Sequence, residues 1–160
     1  MLDLKPHRQK PGFCGPASLK MVLDYYGVVK TEDTLASMTR ASPHVGTRGR
    51  WILNAARNLG FSGFLRDHSS IDELNHWVVD RRVPVIVNWF SKDEGHYSVC
   101  VHVSKKMIYL MDPEIPGIRR LNHETFMNIW FDFLSLRERT KNSLVLRRMI
   151  AIYPKKLARR

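Results

Sequence analysis

Helical patterning fills the first half of this chain and short β-rich runs fill much of the second, which predicts an α+β domain built on an antiparallel sheet. Three observations carry that prediction. Apolar residues recur at 3.6-residue spacing in separate stretches before residue 80. Val83–Phe90, His96–Val103 and Met107–Met111 are runs rich in Val, Ile and aromatics. Helices and strands are grouped and do not alternate as βαβ units.

The first helix is predicted over Gly15–Tyr26, with Leu19, Val22, Leu23 and Tyr26 inward, Lys20 and Asp24 outward, and Gly27 as the stop. Thr31 caps a second, short helix carrying Leu35 and Met38, with Glu32 and Asp33 favourably placed in its first turn. A third fits Thr47–Leu59, with Trp51, Ile52, Ala55, Ala56 and Leu59 inward and Gly60 ending it. Ser70-Ile-Asp-Glu73 reads as a capping box that starts a fourth, ahead of Leu74, Trp77 and Val78. After the three strand runs comes a helix around Thr125–Leu134, and Leu144–Tyr153 reads as a last strand.

With 160 residues and 44% hydrophobic content, one domain over 1–160 with a sizeable core is expected. No run approaches the roughly 18 apolar residues that span a bilayer, and the first residues lack the apolar core of a secretion signal. The expected location is therefore the cytoplasm, with Cys14 and Cys100 reduced. No Gly-rich phosphate loop and no Cys-x-x-Cys pair is present, so no cofactor or metal is expected. The net charge is +11, and residues 141–160 carry seven Lys or Arg and no acid, ending in the short basic tail 154–160. Such a surface attracts anionic partners or simply stays solvated; charge alone names no function.

Chemistry enters at Cys14, in Gly12-Phe-Cys-Gly-Pro-Ala17. A cysteine at a helix start feels the positive end of the helix dipole and nearby free N–H groups, which stabilise a thiolate. Gly15 admits close approach of another chain, and Pro16 suits a first turn where no N–H is needed. A thiolate needs a base that is itself oriented. Of seven histidines, five sit among polar or turn residues and are expected to be exposed; His96 and His102 flank a strand. A hairpin turning near Ser104–Lys106 is expected, and centred on Ser104 its antiparallel partners sum to about 208. His96 then faces Asp112 on one side of the sheet, and His102 faces Lys106. A carboxylate there holds the imidazole in one tautomer and stabilises its charged form. Oxyanion donors are the Cys14 N–H and the side-chain amide of Gln9, five residues upstream.

These residues carry a resemblance. Gln9 with Cys14-Gly-Pro-Ala-Ser-Leu-Lys-Met-Val-Leu-Asp-Tyr-Tyr-Gly27 resembles the nucleophile segment of the peptidase C39 and C39-like families of the papain-like superfamily. Gly95-His-Tyr-Ser-Val-Cys-Val101 is similar to that family's histidine strand, Met111-Asp-Pro113 to its aspartate segment, and Gly117–Trp130 to the helix that follows. The resemblance implies a papain-like fold, with a helix bearing Cys14 against a sheet bearing His96 and Asp112, and Gln9 in the oxyanion hole. It implies a cysteine peptidase that acts on peptide or protein substrates through a thioester. Well-known C39 domains are fused to membrane-spanning and ATP-binding parts and cut after a double glycine; the chain shows neither part, so that specificity is not carried over. Other readings stay open. Cys14–Leu19 also resembles phytochelatin-synthase-like acyl transferases, and the positive charge fits a non-catalytic peptide- or nucleic-acid-binding module. A metal site at His96, Cys100 and His102 is disfavoured, because residues four and six apart on a strand are too spread for one ion.

Overall fold

The computed structural model describes residues 1–135 and 139–157. Three helices come first, α1 (Cys14–Tyr25), α2 (Glu32–Met38) and α3 (Gly49–Asn58), followed by β1 (Phe61–Arg66) and a short α4 (Ile71–Asn75). Then come β2 (Val85–Ser91), β3 (Glu94–Val103), β4 (Met107–Asp112), β5 (Gly117–Asn122), α5 (His123–Ile129), β6 (Phe131–Phe133), β7 (Leu144–Leu146) and β8 (Arg148–Pro154). Six strands form an antiparallel sheet in the order β1-β8-β2-β3-β4-β5, and β6 pairs with β7 in a separate ribbon. No helix among the described residues is long and apolar enough to cross a membrane.

The predicted caps are in place. Thr31 accepts from the Thr34 N–H, and Ser70 and Glu73 form the reciprocal capping box. The buried stripe of α1, including Leu19, Val22 and Leu23, packs on β3, and Leu35, Ile52 and Leu74 join the same core. Burying such apolar side chains is the dominant stabilising term, about 1.5–3 kcal/mol for each large one.

The structure departs from the expected elements in four places. Strand β1 follows α3 directly and pairs with β8, although Phe61–Arg66 lacks a clear alternating signal because Ser62 and Gly63 interrupt it. The helix expected to reach Leu134 starts earlier, at His123 under an Asn122 cap, and stops at Ile129. Trp130 leaves helical geometry to bury its ring, and its Nε1 donates to the Arg148 carbonyl at 3.0 Å. Gly117–Asn122, ahead of that helix, is strand β5. The last strand is two, broken at Arg147 with φ +48°, so β7 serves the ribbon and β8 the sheet. Of the basic tail, Pro154 ends β8 and Lys155–Leu157 make a 3₁₀ turn; 158–160 lie outside the described residues.

The β3–β4 register also differs from the expected sum of 208. Val103 pairs with Ile108 and His102 with Tyr109, not with Lys106. A bulge at Val101 then changes the partners to Cys100–Leu110 and Val99–Met111. The bulge decides the site. Without it the pair sum would stay odd, and His96 and Asp112 would project from opposite faces; one extra residue returns them to the same face.

Candidate active site

Cys14 opens α1 and is partly exposed, its helix start uncapped by any side chain and free of acidic residues in the first turn. No hydrogen bond among the described residues uses its backbone N–H. Gly15 is required here: a Cβ would stand 2.3 Å from Thr47 Cγ2, so the glycine lets the 40–48 loop close over the helix start. That loop and the strand ends enclose a cleft of about 550 Å³ lined by Gln9, Cys14, Trp51, His96 and Asp132 among others, a size suited to a ligand or peptide side chains.

His96 comes from β3, 7% exposed. Its Nε2 lies 2.7 Å from Asp112 Oδ1, and the ring shares the cleft with Cys14. Burial pushes this imidazole down, but the hydrogen bonds and charges of Asp112 and Cys14 outweigh it and hold it up at about 9. Asp112 ends β4 fully buried. Burial raises its carboxyl; the His96 hydrogen bond and charge, the Glu114 N–H and Arg119 overcome that and bring it down to about 2. The two are diagonal neighbours across the strand pair, since the register places Asp112 opposite Ser98 and not opposite His96.

Gln9 lines the same cleft, and its loop is anchored from two sides. Its backbone N–H donates to the Pro113 carbonyl at 3.0 Å, joining the Gln9 loop to the turn after Asp112. Glu32, expected only as a first-turn acid of α2, is buried. It accepts from the Lys10 N–H at 2.9 Å and meets His7 Nε2 at 2.6 Å, so His7 is a packed residue and not a free surface one. The Gln9 Oε1 is buried without a hydrogen-bond partner among the described residues.

The sequence profile of the Peptidase C39 family matches residues 7–142, a span that includes all four of these residues. The chain belongs to that family. It is a C39 cysteine peptidase domain by family. It is 31% identical over 130 residues to a lactococcin-A transport/processing ATP-binding protein of Lactococcus lactis, a match covering 73% of this chain and 16% of the relative. The chain thus spans about a sixth of that relative's length. Among solved structures, the double glycine motif protease of an AMS/PCAT transporter, in complex with its leader peptide, superposes with a TM-score of 0.73. It is 21% identical, with 96% of this chain and 93% of that one covered. The peptidase domain of Streptococcus ComA gives 0.70 at 22% identity, covering 96% and 99%. A C39-like peptidase from Bacillus anthracis gives 0.65 at 16%, covering 92% and 94%. The fold is therefore that of C39 papain-like domains.

Two residues beside these side chains carry no signal in the sequence. Arg119 of β5 donates from Nε to Asp112 Oδ2 at 2.7 Å. Asp132 of β6 lies over Gly95, where any Cβ would fall 2.0 Å from a carboxylate oxygen, so the glycine before His96 makes room for it. Burial pushes the Asp132 carboxyl up, against its hydrogen bonds from Phe133 and Asn88 and the nearby Arg148 and Arg139. No local pattern marks either residue; both reach the site through tertiary pairing.

His96, Cys100 and His102 do not converge. Cys100 is fully buried with its thiol directed at the His102 carbonyl, and the His102 ring lies tilted against Tyr109. His96, Asp112 and Glu114 do bring ligand atoms within 4.8 Å of one another. Between the two carboxylates stands the Arg119 guanidinium, 2.7 Å from Asp112 and 3.7 Å from Glu114, which already supplies the positive charge a metal would bring.

The two thiols should differ sharply. Burial pushes the Cys100 thiol up, whereas Cys14 faces an imidazole and an open cleft. Iodoacetamide at pH 6–7 is expected to label Cys14 at least about tenfold faster than Cys100, read by peptide mass mapping. Equal, slow labelling of both would exclude a paired thiolate.

Proposed function

We propose that this C39 domain hydrolyses peptide bonds with Cys14 as nucleophile, His96 as its base and acid, Asp112 as the orienting carboxylate and Gln9 as an oxyanion donor. The observation that carries this is that Cys14 and His96 line one accessible cleft, with His96 Nε2 2.7 Å from the buried Asp112 Oδ1 behind it. His96 takes the Cys14 proton, on attack or beforehand in a resting ion pair. The thiolate adds to the peptide carbonyl, and the oxyanion that forms is met by the Cys14 N–H and the Gln9 amide. His96 passes its proton to the leaving amine as the C–N bond breaks and a thioester forms. Water, deprotonated by His96, then attacks the thioester; the new acid leaves and the thiolate returns.

For the substrate class, the double glycine motif protease bound to a leader peptide and the transport/processing relatives favour a peptide leader cut after two glycines. Purified protein given a synthetic leader-like peptide with Gly-Gly before the scissile bond is expected to release both products with free ends, at least about tenfold faster than a Val-Val version. A pocket contact of one to a few methylenes supports discrimination of this order. Mass spectrometry of the products distinguishes hydrolysis from transfer to an added amine. Equal rates for the two peptides would remove the glycine preference and leave the peptidase in place. Cleavage that persists in Cys14→Ala protein would remove Cys14.

A further inference from the structure

Asp112 is fully buried, and its oxygens are divided between two neighbouring strands. Oδ1 meets His96 Nε2 at 2.7 Å and accepts from the Glu114 N–H at 2.9 Å; Oδ2 accepts from Arg119 Nε at 2.7 Å. Directly across from Asp112 on β5 is Gly117, and Arg119 reaches back diagonally from two residues along. The Arg119 guanidinium also lies 5.5 Å from the Trp89 ring centroid, and Trp89 meets the His96 ring edge-on at 5.3 Å and 83°. Trp89 is itself fixed, its Nε1 donating to Ser98 Oγ at 3.1 Å. Asp112, Arg119, Trp89 and His96 therefore form a closed circuit of contacts.

We propose that Arg119 is a positioning residue of this site: it holds Asp112 Oδ2 so that Oδ1 stays on His96, and through Trp89 it fixes the plane of the imidazole facing Cys14. The proposal rests on the reading of Cys14, His96 and Asp112 given above. The physical case is the cost of an isolated buried carboxylate. The His96 imidazolium offsets that cost only while it keeps the proton it must pass to the leaving amine; the guanidinium keeps its charge throughout, and its planar fork fixes direction as well. Charged groups facing Asp112 are His96 from β3, Arg119 from β5 and Glu114 from the turn, the last also paired with Lys92 between β2 and β3. From α1, Cys14 faces His96. Removing Arg119 leaves two carboxylates and one histidine, which favours protonated Asp112.

The test is the pH dependence of Cys14 alkylation by iodoacetamide in Arg119→Gln, with Arg120→Gln as control, since Arg120 lies on the same strand over Tyr109. Arg119→Gln is expected to move the acid limb up by about one pH unit or more and to slow labelling near pH 5 roughly tenfold. Arg119→Lys should restore part of the loss, and Arg120→Gln should match the native protein. In an Asp112→Asn background, Arg119→Gln should add nothing further, because it acts through Asp112. A folded Arg119→Gln with the native acid limb, or losses that multiply in the double variant, would overturn the proposal. Should Arg119→Gln not fold, proton NMR of the native protein decides. The Arg119 Nε–H should exchange slowly, and rapidly in Asp112→Asn; rapid exchange in the native protein overturns the assignment. If native Cys14 itself labels no faster than Cys100, the underlying thiolate reading fails, and Arg119 falls with it.

Discussion

Replacing Cys14 with Ala is expected to reduce peptide turnover by at least about 10³-fold while leaving the unfolding temperature within a few degrees of the native value. The two halves of that result have different origins. Cys14 is partly exposed at the first position of α1 and lies at the margin of the core, so a small side chain there removes little buried surface. Its thiol, by contrast, is the group placed between the cleft and His96. His96→Ala should cost nearly as much turnover as Cys14→Ala, and the two changes together little more than either alone, because nucleophile and base act as a unit. Steady-state kinetics of the three variants on one peptide, beside their thermal melts, gives the comparison. Turnover that survives Cys14→Ala would show that another group performs the attack.

How much of this was legible depends on whether the signal is local. The surroundings of Cys14 are a local signal: a glycine, a proline and an apolar stripe describe a tight entry into a helix, and α1 begins at Cys14. Gln9 is five residues away, and the same cleft holds both. The union of His96 with Asp112 depended instead on register, and the predicted register differs from the observed one by two residues. The faces agree because that difference is even, and it is even because of the bulge at Val101, which no residue type in Ser98–Val103 announces. Two strands were missed, one with a distant partner and one with its neighbour in the chain. Phe61–Arg66 becomes a strand because β8 offers it an edge, and Gly117–Asn122 because β4 does. Arg119 and Asp132 followed their strands into obscurity. An arginine after Ile118 and an aspartate between Phe131 and Phe133 gained no role until β5 placed one on Asp112 and the β6–β7 ribbon placed the other over Gly95.

The second large effect expected is a loss of stability on the alkaline side that native protein shows and His96→Ala does not. The ordinary imidazole value is 6.5, and in the folded protein His96 is held up at about 9. A group raised on folding contributes stability that is fully present below its unfolded value and is lost as the pH rises through its folded one. For His96 the loss therefore runs from about 6.5 to about 9. Asp112 behaves in the opposite sense: its contribution is complete above its ordinary 3.8 and disappears as the pH falls through about 2. The plateau lies between 3.8 and 6.5, where both charges of the pair are in place. Across the alkaline window the difference in unfolding free energy between native protein and His96→Ala should narrow by about 2–3 kcal/mol, both groups being buried enough for the conversion. Denaturant melts at pH 6, 7.5 and 9.5 measure it, and parallel curves for the two proteins would show that His96 is not a paired imidazolium. The same proton links stability to chemistry. Above about pH 9 the imidazole has no proton for the leaving amine, so kcat/KM should fall over the window in which the native protein loses its extra stability.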